Sequence, residues 1–151
     1  MSEIEHILDE LQRIHEGDAW HGPALSEVLA DVSAEQAAAH PFDSAHSIWE
    51  IVRHITAWEN VVRRRLEGEP INEPEAGDFP STDDTSEAAW TQALAELNGE
   101  HAQLLKTVSG LRDTALQAPV PGRDYTVRFQ LASAVRHYVY HTGQIALLKK
   151  G

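Results

Sequence analysis

A chain of 151 residues fits one ordinary domain with a core of its own, and 42% hydrophobic with 24% charged residues is the balance of a soluble globular protein. Twelve Lys and Arg against 24 Asp and Glu give a formal charge of −12, which repels phosphate backbones and anionic lipid and so argues against nucleic-acid and membrane partners. Cysteine is absent, which excludes disulfides, thiolate metal ligands and a cysteine nucleophile; a protein-derived metal site must use histidine and carboxylate.

The N-terminus MSEIEHILDE is acidic where a signal peptide is basic and then apolar, and no apolar run reaches the length of a membrane span, so the expected location is the cytoplasm. Ser2 and Glu5 have capping-box spacing, and Ile4, Ile7, Leu8, Leu11 and Ile14 recur at helical intervals until Gly17. After Gly17 and Asp18 comes AWHGPALSEVLADVS, where Pro23 suits a first helical turn and Leu25, Val28, Leu29 and Val32 form a short stripe. In AAAHPFDS, Pro41 breaks any helix, and Ser47 with Glu50 then offers a second capping box. The second long helix carries Ile48, Ile51, Val52, Ile55, Trp58, Val62 and Leu66; its RRR at 63–65 favours the negative end of the helix dipole, and Gly68 closes it.

Residues 69–85, EPINEPEAGDFPSTDDT, are rich in Pro, Gly and acid and lack periodicity, which predicts a long surface connection. A third long helix carries Trp90, Ala93, Leu94, Leu97, Leu104, Leu105 and Val108, and a turn-rich stretch containing APVPGRD leads to a fourth, from about Val127 to Lys150. The expected fold is all-α: one domain over residues 1–151, a four-helix bundle. The long connection lets the second and third long helices lie parallel, which gives an up-down-down-up order.

The stretch HYVYHTGQIALLKK places His137 and His141 four residues apart, on one face of a helix and within reach of a single ion. With nine histidines in the chain, one such pair is close to what chance supplies. Position adds weight, because Ala134, His137, His141, Ile145 and Leu148 step by three and four along the core-facing stripe. His54 lies between Ile51, Ile55 and Trp58 on the second long helix, so a third imidazole points inward from a different element. Each alone reads as a core histidine, but burying three together without a shared partner leaves ring nitrogens unanswered, and the set reads as a His₃ metal site. Tyr138 follows His137 where an HExxH metalloprotease needs glutamate, so that class is excluded.

WHGP at 20–23, HSIWEIVRHITAWE at 46–59 and HYVYHTGQIALLKK at 137–150 resemble the DinB/YfiT-like superfamily over nearly the whole chain. The resemblance implies an up-down-down-up four-helix bundle, often a homodimer, binding one divalent metal such as nickel or zinc. By motif match the ligands fall on His54, His137 and His141. It also implies a small-molecule substrate and chemistry with a low-molecular-weight thiol, since relatives include bacillithiol S-transferases and a mycothiol-dependent isomerase. A metal-dependent hydrolase and a non-catalytic metal-binding stress protein are the alternatives.

Two further residues are catalytic candidates. His21, in AWHGP beside a turn, is either a capping or packing residue or a substrate-side one. Glu50, one turn before His54, either orients it or serves as a base, or is simply the cap its spacing from Ser47 implies. Gln144 either hydrogen-bonds near the site or packs between helices, and His101 is a core or surface residue outside the motif. His6, His15, His40 and His46 share no pattern.

Overall fold

The computed structural model describes residues 1–151. Six α-helices and one 3-10 turn make an all-helical protein with no strand, only the isolated bridges Ala19–Gly22 and Pro119–Thr126. The helices are α1 (Glu3–Glu16), α2 (Leu25–Leu29), α3 (Ala34–Ala38), α4 (Ile48–Leu66), α5 (Glu87–Ser109) and α6 (Val127–Leu148), with the 3-10 turn at Asp113–Gln117. None is long and apolar enough to cross a membrane.

Each long helix starts where a side-chain oxygen can take a free N–H of the first turn. Ser2 and Ser47 complete capping boxes with Glu5 and Glu50, while Ser86 and Thr126 cap α5 and α6 through the N–H groups of Ala89 and Phe129. The Asp113 carboxylate adds a cap from outside, accepting from Glu3 and Ile4 N–H. After α1 the chain turns at Gly17, φ 153°, and Asp18, φ 62°, the latter held by Arg13 at 2.7 Å. Pro23 lies before α2 rather than in its first turn, and Glu27 reaches back to the Ala24 N–H.

The one-turn α3 has no counterpart in the sequence reading. Its residues AEQAA place only three small side chains, Ala34, Ala37 and Ala38, at helical spacing, and that one turn of alanine is held by the Ser33 cap, by Glu87 of α5, which accepts from the Ala34 N–H, and by the core that Ala34 and Ala37 enter. Twenty-eight buried apolar residues form one contiguous core drawn from all six helices. Within it α4 lies against α5 and α6, α1 lies against the same two, and α2 and α3 cover α1 with α6 and α4 with α5.

Residue numbers rise together along α4 and α5: Trp49 sits by Trp90 with ring centroids 5.1 Å apart, Arg63 pairs with Glu100 at 2.6 Å, and Glu67 accepts from Thr107. Against α6 they run oppositely, His54 meeting His137 and Arg65 meeting Gln130. The connection between α4 and α5 retraces α4. Arg64 holds Glu69 and Glu75, Arg65 holds the carbonyls of Ile71 and Asn72, His54 and Trp58 hold Asp78, and Arg53 donates to the Ser81 carbonyl.

Candidate metal centre

Helical spacing sets His137 and His141 one turn apart on α6, and the opposed run of α4 brings His54 across to them. His54 and His141 are buried and His137 is half-buried. One ring nitrogen from each lies within 4.8 Å of the others, with Nε2 of His137 at 3.0 Å from Nε2 of His54 and 3.1 Å from Nε2 of His141. No fourth imidazole or carboxylate joins this group.

Hydrogen bonds on the far side of two rings decide what faces the centre. The Asp78 carbonyl, 2.6 Å from His54 Nδ1, can only accept, so Nδ1 carries the hydrogen and Nε2 presents a lone pair. Gln144 Oε1, 2.6 Å from His141 Nδ1, does the same for that ring. Two lone pairs therefore point at His137 Nε2, and a single N–H there can satisfy only one of them. A shared cation satisfies all three. Nitrogens that hold one tetrahedral ion at about 2.1 Å would stand about 3.4 Å apart, and the two gaps to His137 Nε2, 3.0 Å and 3.1 Å, are each within a few tenths of an ångström of that spacing.

The surroundings disfavour the charged forms of His137 and His141 and fix how the rings are oriented. Burial first, then the neighbouring His141 and His54, pushes His137 down to about 4, and burial likewise lowers His141. His54 stacks on Phe79, centroids 4.1 Å apart and planes 11° apart, and the other face of the arrangement is closed by His46 stacked on the same phenyl at 3.6 Å. Asp78 also takes the Trp58 indole N–H at 2.7 Å. Such supports fix the tautomer and direction of a ligating ring.

The DinB superfamily model matches residues 17–145, most of the chain, and that span includes all three histidines. The chain belongs to the DinB superfamily. No curated protein and no solved structure gives a significant match to this DinB-superfamily chain.

In this DinB-superfamily chain a cavity of about 340 Å³ opens beside His54 and His137, at the small end of the range for small-molecule sites. Trp58, Glu59, Arg65 and Gln130 are also on its walls. His21 is exposed, makes no hydrogen bond and does not line this cavity. Glu50 sits in its cap and between two imidazoles, His40 at 2.5 Å and His46 at 2.8 Å; the group that orients His54 is Asp78. Burial alone would lift Glu50, but its hydrogen bonds with His46, His40 and Ser47 outweigh that and hold it at about 2. Gln144 is a hydrogen-bond partner of His141.

Sequence reasoning missed a second polar cluster under the cavity. His101 is buried, its Nε2–H donating to the Leu11 carbonyl at 3.0 Å and its Nδ1 meeting Glu59 Oε1 at 2.8 Å. His15 stacks on it with centroids 4.1 Å apart, donates from Nε2 to Asn98 Oδ1 and accepts from the Tyr138 hydroxyl. Burial raises both Glu59 and Tyr138, although His101 opposes the shift of Glu59. Only His101, on the edge of an apolar stripe, carried a sequence signal. Asp78 and Phe79 carried none, because their place depends on the connection folding back along α4.

Proposed function

We propose that this chain is a single-domain four-helix bundle of up-down-down-up order that holds one divalent ion, nickel or zinc, through Nε2 of His54, His137 and His141. In this reading it is a metal-dependent enzyme of the thiol S-transferase or isomerase type, acting in the cytoplasm as a homodimer on a small molecule, with no nucleic-acid or membrane partner. The helix order is supported by the end-to-end contacts of α4 with α5 and α6 and by the cap that Asp113 places on α1.

The observation that carries the reading is the pair of lone pairs, on His54 and His141, aimed at one nitrogen of His137 beside an open cavity. A divalent ion held by neutral nitrogens keeps its full charge and favours the deprotonated form of a thiol or water that reaches it. The chain supplies the rest. The Asp78 carbonyl and Gln144 hold the two ring tautomers, and Phe79 fixes the His54 plane. Three protein nitrogens without a fourth leave room for a small ligand, and Trp58, Val62 and Ala134 give it an apolar wall that limits water.

The test is conjugation of monochlorobimane to bacillithiol, mycothiol, glutathione and coenzyme A. Metal-loaded protein accelerates it with at least one thiol, while metal-free protein and His54→Ala do not. Hydrolysis of simple esters or amides without thiol consumption replaces this reading with a hydrolase. Neither activity replaces it with a non-catalytic metal-binding stress protein.

A further inference from the structure

Arg65 is the one buried arginine, 6% exposed, in a chain with twice as many acids as Lys and Arg together. Arg13, Arg63, Arg64 and Arg128 all meet carboxylates. Arg65 meets none. Its Nε goes to the Ile71 carbonyl at 2.9 Å, Nη2 to the Asn72 carbonyl at 2.8 Å, and Nη1 to Tyr125 Oη and Gln130 Oε1, both at 3.1 Å. These neutral oxygens use four of the five guanidinium N–H bonds and leave one, together with the whole charge.

A second cation crowds the same place. Arg123 Nη2 reaches the same two carbonyls, at 3.4 Å and 3.3 Å, and Asn72 Oδ1 at 2.9 Å, again with no carboxylate paired to it. Buried arginine without a counter-charge is costly, and two guanidinium groups on one pair of carbonyls compound the cost. The amide of buried Gln130 is aligned with them. Arg65 and Tyr125 both donate to its Oε1, at 3.1 Å and 3.3 Å, so its NH₂ is the free end, and that NH₂ has no acceptor in the protein. Arg65, Gln130 and Ser133 all line the cavity whose other end is His54 and His137.

We propose that the Arg65–Gln130 end of this cavity is a carboxylate subsite, so that the small molecule it takes carries an acid group. Along α6, Gln130 and His137 are seven residues and about 10.5 Å apart, which sets the span between that acid and the atom facing the histidines. The span rests on the metal-anchored reading above; the subsite does not. A charge-assisted pair with Arg65, assisted by the Gln130 NH₂, supplies the missing counter-ion and selects acids over neutral molecules of the same shape.

The test compares straight-chain ω-mercaptoalkanoic acids with the ω-mercaptoalkanols of equal length, and simple alkanoic acids with alkanols, by calorimetry on metal-loaded and metal-free protein. The expected result is an acid preference of about ten-fold or more, greatest for chains that span the two ends, and present for the alkanoates in metal-free protein. Arg65→Gln abolishes the preference without changing metal content. Because Arg65 also anchors the connection, Gln130→Glu is the second variant. It places the carboxylate inside the protein, so the melting temperature rises while the acid preference disappears. Equal binding of acid and alcohol by the wild type overturns the proposal, as does a Gln130→Glu protein that melts lower and keeps the preference. Alkanoate binding that depends on Arg65, with no thiol bound, upholds the subsite and removes the thiol reading.

Discussion

His15 makes the fold acid-sensitive in a way that can be measured separately from the metal centre. Its ring is buried, stacked on His101, and bonded on both nitrogens to neutral partners: Asn98 Oδ1, which only accepts, and the Tyr138 hydroxyl, which donates. A proton on Nδ1 would force the Tyr138 hydroxyl to turn from donor to acceptor and would place a charge in the core. Burial first, then the neighbouring His101, therefore lowers His15 from 6.5 to about 4, against the opposing pull of Asn98. The unfolded chain binds this proton at a higher pH than the folded one, so stability is fully present above about 6.5 and is lost as pH falls toward 4. Taking those two values, the folded state loses about 2 kcal/mol between pH 7 and pH 5 from this residue alone. Urea unfolding at the two pH values measures it. His15→Gln cannot titrate, so it is less stable at pH 7 by about 1 kcal/mol through imperfect hydrogen bonds, but loses about 2 kcal/mol less than wild type on going to pH 5. Parallel losses in the two proteins would refute the buried neutral imidazole.

Three other outcomes follow from the geometry. Trp90→Phe leaves the buried Val32 carbonyl without the indole N–H it accepts at 2.9 Å, and costs about 1–3 kcal/mol in thermal or urea unfolding. Gln144→Leu removes the acceptor on His141 Nδ1 and weakens metal binding by roughly 10–100-fold in competition with a chelator, with the helical far-ultraviolet spectrum unchanged. Light scattering at micromolar concentration gives a dimer mass, and a monomer mass removes the homodimer from the proposal.

How far the sequence could be read depended on whether a residue's place follows from its own helix. Ile51, Val52 and Ile55 lie in the core as their spacing predicted, and the α6 stripe does bring His137 and His141 to one face beside His54. Periodicity could not choose between neighbours at the stripe's edge. Trp58 is half-buried and Glu59 beside it is buried, because His101 on α5 gives the carboxylate a partner that α4 alone does not reveal. The same holds for RRR, read as a dipole-favourable end. Arg63 and Arg64 pair with acids, the first in a half-buried pair with Glu100, while Arg65 turns inward to carbonyls of the returning connection. Asp78 and Phe79 complete the centre from a segment without periodicity, and their role exists only once that segment folds along α4.

The most direct test of the central claim is the metal content of protein purified without chelator and without added metal, compared by elemental analysis with His141→Ala. Convergence of three neutral imidazole nitrogens predicts close to one divalent ion per chain in the wild type and loss of most of it in the variant. Full retention by His141→Ala would contradict the ligand assignment. A metal-free wild type that takes up no nickel or zinc when either is supplied would contradict the metal centre itself.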